Sequence, residues 1–531
     1  MSRSLRSTSA AVLVGLLLSC LPAPAALAAP GPGQPPVVST QSGAVSGVQA
    51  DGVDSYLGIP YAAPPVGELR WSPPEPPAAW DGVRAADAYG NRCPATESTN
   101  GPRSETEDCL FVNVQRPAGT TPEDRLPVYV FIHGGGLVNG SSNQADMAAI
   151  VAATGIVGVT MNYRLGLLGF LGHPELTARQ GESGNYGLMD QQAALRWVQQ
   201  DIAAFGGDPA RVTIGGESAG GWSVCSHLVA PGSRGLFAAA MIQSGSCPSR
   251  SQDAADAEGQ VVAQAVGCTP FASVVACLRG KPVGELIDAP TPIVPPVAGT
   301  PFLPSDPRAA IATGDFADVP VVVGATRDEG RTFMAGSIGW TREQYETWVR
   351  DAFVEDADAV LARYPWPADA DAFTAAYLSG AIATDAGVAF GIGGCTNRAL
   401  TRDLAAHVPT WAYEFAARTG PGLQPIPGYE WGAGHAAELA YLFPSFDNGV
   451  PIAPTFDAGE QQLAAEMKQY WGAFVRQGDP GVPGQAAWPS YGAEQVVLSL
   501  QPAGRSAAVP DAAVAEEHQC AFWDPRSADG A

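Results

Sequence analysis

Thr213-Ile-Gly-Gly-Glu-Ser-Ala-Gly-Gly221 is the stretch on which the reading of this chain turns. It contains Gly216-x-Ser218-x-Gly220, directly after the strand-like run Arg211-Val-Thr-Ile214 and at the start of a helical stretch. A serine on so tight a strand-to-helix turn sits in strained backbone, and flanking glycines let the two elements approach without Cβ clashes. The turn projects the hydroxyl at the carboxyl edge of a sheet, where open α/β folds keep their sites. Ser218 is therefore the candidate nucleophile.

Outward from this turn, short runs rich in Val, Ile and aromatic residues alternate with helical stretches. The runs are 127–132, 156–162, 211–214, 238–243, 319–324 and 409–415, most of them apolar throughout. Between them, Leu188, Ala194, Leu195, Val198 and Ile202 recur at helical spacing. Strand, crossover helix and strand, repeated, predict an α/β fold with a mostly parallel, doubly wound sheet covered by helices on both faces. The acidic, alanine-rich region 351–371 reads as solvated helices, and no linker divides residues 29–531, which read as one domain.

The 531 residues are 46% hydrophobic and carry a net charge of −24. That supplies a large core and argues against nucleic acid or anionic membrane as partner. Arg3 and Arg6, the apolar run 10–21 and Ala26-Leu27-Ala28 predict a signal peptide over residues 1–28 and secretion of the rest. The run is too short for a transmembrane anchor and ends at Pro22 and Pro24. Leu17-Leu18-Ser19-Cys20 loosely resembles a lipoprotein box, which makes lipid attachment at Cys20 the alternative. Beyond the leader stand Cys93, Cys109, Cys225, Cys247, Cys268, Cys277, Cys395 and Cys520, with no C-x-x-C pair. In an oxidising compartment these read as disulfides rather than metal ligands, and no metal or cofactor is assigned. Oligomeric state and the pairing of Cys225 and Cys247 stay open.

A serine needs a base. In this fold the order is Ser, acid, His, which removes His133 and His173. His227 lies on the helix leaving the turn, and His407 precedes the strand 409–415 and so sits at the wrong end of the sheet. His435 follows that strand through the loop Gly428-Tyr-Glu-Trp-Gly-Ala-Gly434, while His518 lies beside Cys520 in the tail and reads as packed or superficial. His435 is the candidate base. After the strand 319–324 comes Arg327-Asp328-Glu329-Gly330; adjacent side chains point apart, so one carboxylate serves, and the residues alone do not say which. Phe131-Ile-His-Gly-Gly-Gly136, with the amide of Ala219, predicts a three-donor oxyanion hole. His133 there reads as a support of the loop.

The chain resembles the type-B carboxylesterases, which include cholinesterases and some fungal lipases, with a likeness to bacterial para-nitrobenzyl esterases. Gly216-Glu-Ser-Ala-Gly-Gly221 resembles the family's serine signature and Glu107-Asp-Cys-Leu-Phe-Val-Asn-Val114 its second signature. Tyr56-Leu-Gly-Ile-Pro-Tyr61, Asn162-Tyr-Arg-Leu-Gly166, Gly184-Asn-Tyr-Gly-Leu-Met-Asp-Gln191 and Phe205-Gly-Gly-Asp-Pro209 agree, over about Val37 to Trp523. The resemblance implies the α/β-hydrolase fold, with Ser218 as nucleophile, Glu329 rather than Asp328 as acid and His435 as base. It implies an oxyanion hole at Gly135, Gly136 and Ala219, with Glu217 and Ser244 supporting the triad, Ser244 by hydrogen bonding. It further implies disulfides Cys93–Cys109, Cys268–Cys277 and Cys395–Cys520, and ion pairs Arg70–Glu107 and Arg164–Asp190.

These readings together predict hydrolysis of a small, uncharged carboxylic ester through an acyl-Ser218 intermediate. Activity would rise with pH through one imidazole-like step, near about 6.5 for an unperturbed ring. An interfacial triacylglycerol lipase and a non-catalytic binding protein are the alternatives. The segment Pro94–Asp108 has no aromatic residue and no apolar surface, so it offers neither a π face for choline nor a lipid-facing lid. Trp222, Phe333, Trp340 and Phe390 are candidates both for pocket lining and for core packing.

Overall fold

Along Leu126–Ile132 successive side chains enter two different cores. Val128, Val130 and Ile132 join one, and Tyr129 and Phe131 the other. Val321 and Val323 divide from Val322 in the same way. Strands alternate sides at every residue, so a strand covered on both faces must be apolar throughout, which is the pattern these runs carry.

The structure is a computed structural model that describes residues 36–269, 271–290, 293–420, 426–446 and 451–524. The leader, its cleavage site and Cys20 lie outside the described residues. Among the described residues eleven strands form the main sheet. They are β1 (Val48–Ala50), β2 (Val53–Pro60), β3 (Phe111–Pro117), β4 (Leu126–Ile132), β5 (Val157–Met161), β6 (Gly207–Glu217), β7 (Ala239–Gln243), β8 (Val321–Thr326), β9 (Thr410–Phe415), β10 (Val496–Leu500) and β11 (Ala507–Pro510). Their order is β11-β10-β9-β8-β7-β6-β4-β5-β3-β2-β1. From β5 to β10 every pairing is parallel. The strands at either end pair antiparallel. This is the mostly parallel sheet the alternating pattern predicts, and it fits the α/β-hydrolase fold that the resemblance implies. The six predicted runs match six of its strands, with boundaries that differ by at most four residues.

Helices close both faces. On one lie α1 (Gly166–Phe170), α2 (Tyr186–Asp201) and α3 (Ala219–Val229), with Leu188, Leu195, Val198 and Leu228 in the first core. On the other, the helix Ala458–Gln477 buries Leu463, Met467, Tyr470, Trp471 and Phe474 in the second. The acidic region forms the helices Arg342–Ala352 and Ala357–Arg363 and then a turn, so it is helical in part; Tyr345, Val349 and Val360 anchor it to a satellite cluster.

Cross-links and buried charges fix the loops. Disulfides join Cys93–Cys109, Cys268–Cys277 and Cys395–Cys520, and a fourth joins Cys225 on α3 to Cys247 just beyond β7. Arg70 grips Glu107 through two bonds of 2.7 and 2.6 Å, and Arg164 grips Asp190 through two of 2.7 Å. The Arg164–Asp190 pair is buried and the Arg70–Glu107 pair is partly buried. Two-point guanidinium–carboxylate geometry adds direction to charge. Among the described residues no helix is long and apolar enough to cross a membrane.

Candidate active site

Four strand ends on the carboxyl edge supply the site. β6 ends at Glu217, and Ser218 turns directly into α3 with φ 58° and ψ −124°. That left-handed backbone costs a β-carbon residue about 1–3 kcal/mol and persists only where the surroundings enforce it. The enforcement is close packing. A Cβ on Gly216 would meet Gly220 at 2.4 Å, and one on Gly220 would meet the Ile132 carbonyl at 2.1 Å. Only glycine fits at either position, which is why the pattern brackets the serine. The Ser218 amide donates to the Gln243 carbonyl, 2.9 Å away on β7.

β4 ends at Ile132 and leads into His133-Gly134-Gly135-Gly136. Gly135 (φ 101°) and Gly136 (φ 65°) are left-handed, and Gly134 packs so tightly that a Cβ there would lie 3.0 Å from Ser218 Cβ. The amides of Gly135 and Gly136 make no hydrogen bond within the described residues. Neither does that of Ala219, which as the first residue of α3 has no intrahelical acceptor. Two side chains hold the loop from behind. The Asn139 backbone and side chain fill the space a Cβ on Gly135 would need, and Asn139 Oδ1 accepts from Asn100 Nδ2 at 2.6 Å. Asn100 is the tip of the small hairpin closed by Cys93–Cys109. His133 stacks on Tyr163 at 4.4 Å, its Nδ1 lies 2.9 Å from the Gly134 carbonyl, and burial holds it down to about 4. It is a neutral support of the loop, as its place in the chain suggests.

β8 ends at Thr326, and Glu329 opens the helix α4 (Glu329–Phe333). Its carboxylate accepts from the Thr326 amide at 2.8 Å and lies 2.6 Å from His435 Nδ1. Asp328 points the other way. It accepts two bonds from Arg418, at 2.8 and 2.6 Å, and one from the Ala433 amide at 2.9 Å. The alternative the residues left open thus has a geometric answer: Glu329 meets the ring, and Asp328 anchors the loop that carries it.

His435 follows β9 and is buried. Its Nε2 lies 3.2 Å from Glu217 Oε1, but without hydrogen-bond geometry, and Ser218 Oγ makes no hydrogen bond among the described residues. Burial pushes the imidazole down, yet Glu217 and Glu329 outweigh it and hold it up to about 9, above the ordinary value used in the sequence reading. Burial pushes the Glu217 carboxyl up. Ser244 departs from its expected role: it is buried with φ 44°, its amide donates to the Gly324 carbonyl, and its hydroxyl bonds to nothing among the described residues. Its amide, not its hydroxyl, makes the contact, tying the end of β7 to β8.

One residue escaped the sequence reading. Glu438, three positions beyond His435, is fully buried, and neither carboxylate oxygen has a partner among the described residues. Burial first, then the charges of Glu217 and Glu329, push its pKa well above the usual carboxylate range. Burial thus shifts both Glu438 and Glu217 towards the neutral carboxyl relative to a free glutamate. The only signal available was a glutamate one turn after the base. Of the aromatic candidates, Phe333 lies over the His435 ring at 4.6 Å and is 37% exposed. Trp222 is buried against Phe390 at 5.4 Å, and Trp340 packs, partly buried, against the satellite cluster. The remaining histidines are engaged elsewhere. His173 caps a helix, His227 bonds Ser233 and Gln191, and His407 lies against the Ala312 carbonyl. His518 is buried between Asp385 and Glu414 rather than superficial.

A strained serine, a carboxylate-bound imidazole and a glycine loop with unengaged amides are the parts of acyl-transfer chemistry. Comparison with known proteins agrees. The model of the carboxylesterase family matches residues 34–523. The human cocaine esterase is 35% identical over 98% of this chain and 95% of its own. A mouse acylcarnitine hydrolase is 35% identical over 88% of each chain. The fumonisin B1 esterase of Sphingopyxis macrogoltabida is 35% identical over 85% of this chain and 84% of its own. The chain belongs to the carboxylesterase family and is a carboxylic-ester hydrolase.

Proposed function

We propose that this is a secreted, general esterase whose residues 29–531 act as one catalytic unit, cleaving dissolved esters of short or medium acyl chain through an acyl-enzyme on Ser218. The observation that carries the catalytic reading is the 2.6 Å contact between His435 Nδ1 and Glu329, on the edge where Ser218 turns into α3. Ser218 Oγ attacks the ester carbonyl as His435 Nε2 takes its proton, and the carbonyl oxygen becomes an oxyanion facing the amides of Gly135, Gly136 and Ala219. Collapse breaks the bond to the alkoxy group, which leaves as the alcohol with the proton from His435. Water then attacks the acyl carbon, giving its proton to the ring, and the acid departs with the serine restored. Glu329 stabilises the imidazolium in both halves. Unliganded catalytic hydrogen bonds are commonly long and tighten when substrate binds, so the lack of a Ser218–His435 bond is compatible with this sequence.

The acyl and alcohol preference rests on the 94–108 hairpin. Its bridges pair Ala95 with Ser104 and Ser98 with Gly101, Asn100 ties its tip to Asn139, and Arg103 pairs with Asp288. A polar hairpin pinned at its tip has no apolar face to open onto lipid and no ring for a quaternary ammonium. Export is supported by the leader pattern together with four disulfides. Two measurements test the proposal. An organophosphonate should abolish activity with one phosphonyl group on the peptide carrying Ser218; labelling elsewhere ends the nucleophile assignment. A rate profile for a short-chain ester through its solubility limit, beside acetylcholine and emulsified triglyceride, should saturate smoothly. A jump at the limit or triglyceride as best substrate would instead identify a lipase.

A further inference from the structure

Beside the oxyanion loop lies a cavity of about 160 Å³ that Ser218, Glu329, His435 and the glycines 134–136 do not line. It sits between α1, the turn Leu171-Gly172, the helix Gln252–Ala265 and the residues Pro290 and Val294. Helix and turn press together so closely that a Cβ on Gly259 would lie 1.7 Å from the Gly172 carbonyl. Its walls are mainly apolar: Leu167, Phe170, Leu171, Val262 and Val294. Val261, 66% exposed, and the half-exposed Glu258 also line it, so it is reached from the surface.

Two charged side chains, Arg250 and Glu258, break this lining. The Arg250 side chain is 9% exposed and pairs through Nη1 with Glu258, while Nη2 donates to the Phe170 carbonyl at 3.0 Å. Its Nε is buried with no hydrogen-bond partner among the described residues. A buried donor without an acceptor is destabilising, and an oxygen brought in beside it relieves that cost. The charge pattern narrows the ligand. Arg250 and Glu258 neutralise each other, so a cation meets the arginine and a free carboxylate meets the glutamate, each unfavourably; an uncharged acceptor meets neither penalty. Size narrows it further, since a cavity of about 150 Å³ lined by apolar groups holds one benzene-sized molecule.

We propose that this cavity is a second ligand site, taking a small uncharged aryl or alkyl carbonyl compound whose oxygen accepts from Arg250. Because the cavity is reached from the surface, esters and ketones from about benzene's size up to about ten heavy atoms belong to that class, the larger ones seating one end in it. The site adjoins the catalytic loop: the Gly166 amide donates to the Leu137 carbonyl at 2.7 Å, and Ile293, next to Val294, packs against Gly136. The test therefore uses enzyme whose esterase activity has first been removed completely by an organophosphonate. 4-Fluoroacetophenone, a ketone with no bond to hydrolyse, is titrated into it and followed by its fluorine resonance. We expect saturable binding of one equivalent, loss of that binding in Val262→Phe, which fills the cavity, and weakening by about ten-fold or more in Arg250→Met. Melting temperatures establish that both variants are folded, and Arg250→Met keeps the test decisive if Val262→Phe is not. Absence of saturable binding to the blocked enzyme, or a folded Arg250→Met that binds as tightly as the parent, overturns the proposal.

Discussion

His435 and His518 are each buried between two carboxylates, and they differ in what is left unsatisfied. At His518, Nδ1 bonds Asp385 and Nε2 bonds Glu414, each at 2.9 Å. Asp385 also accepts from Tyr364, so the cluster is closed on itself. At His435 only Nδ1 is bonded, and Nε2 approaches Glu217 without the geometry of a hydrogen bond. The same ring between two carboxylates thus builds two devices. An imidazolium with both N–H groups satisfied is a strut, whereas a ring with one nitrogen left unbonded can, as the neutral imidazole, take a proton and return it.

The largest effect should separate the two rings by activity. We expect Ser218→Ala and His435→Ala each to lower kcat by on the order of 10⁴ to 10⁶, with the double variant no worse than either alone. His518→Gln should keep kcat/KM within a few-fold of the parent, measured at a temperature where it is folded. Turnover by Ser218→Ala near the parent rate would falsify the catalytic half of the contrast. Next in size is the choice of acid. Glu329→Gln should cost on the order of 10³ in kcat, because the ring loses its orienting anion. Asp328→Asn should cost only about ten-fold, through the loop that Asp328 holds at Ala433. The reverse ranking in steady-state kinetics would move the acid to Asp328.

How far the sequence alone reaches differs between these two regions for a physical reason. The elbow was legible because sterics forbid anything but glycine at 216 and 220, so geometry is written into composition. The parallel strands were legible because burial on both faces leaves uninterrupted apolar runs. Chain order removed His133 and His173 from the candidates for base, and placement along the strands and tail set aside the other three. The acid was not legible from residues alone, since Asp328 and Glu329 share one strand end and diverge only through partners, Arg418 and His435, distant in sequence. The His518 cluster joins residues 385, 414 and 518, and Glu438 is a carboxylate whose burial no local pattern announces. The Cys225–Cys247 bridge needed the neighbouring placement of α3 and β7.

The strut can be tested by stability. Burial pushes His518 down, but Asp385 and Glu414 outweigh it and hold it up to about 10. A raised folded pKa contributes stability that is whole below the unfolded value, about 6.5, and is lost as pH climbs through the folded one. Denaturant unfolding should therefore show stability falling by about 3–5 kcal/mol between pH 6.5 and 10 on account of this group. His518→Gln should be less stable at pH 6 and lack that component of the decline. Parallel pH dependences for parent and variant would show that the ring adds no charge-linked stability.

The smallest effect concerns Glu217, and it tests how the catalytic ring is kept apart from the strut. General-base action needs neutral imidazole, so holding His435 up to about 9 moves the rising limb of kcat/KM above the pH 6.5 of a free ring. Among the groups that raise it, Glu217 comes before Glu329. Glu217 is itself pushed up by burial, so it carries a proton for part of the range and its pull is partial. Replacing it with glutamine removes a nearby anion while leaving the Glu329 contact in place. The limb should then move down by about one pH unit, with kcat on the high-pH plateau changed far less. A purely structural glutamate predicts the opposite pattern, a lower plateau with the midpoint unmoved. The pH profile of kcat/KM for Glu217→Gln therefore decides whether Glu217 sets the proton affinity of the base or merely fills the space beside it.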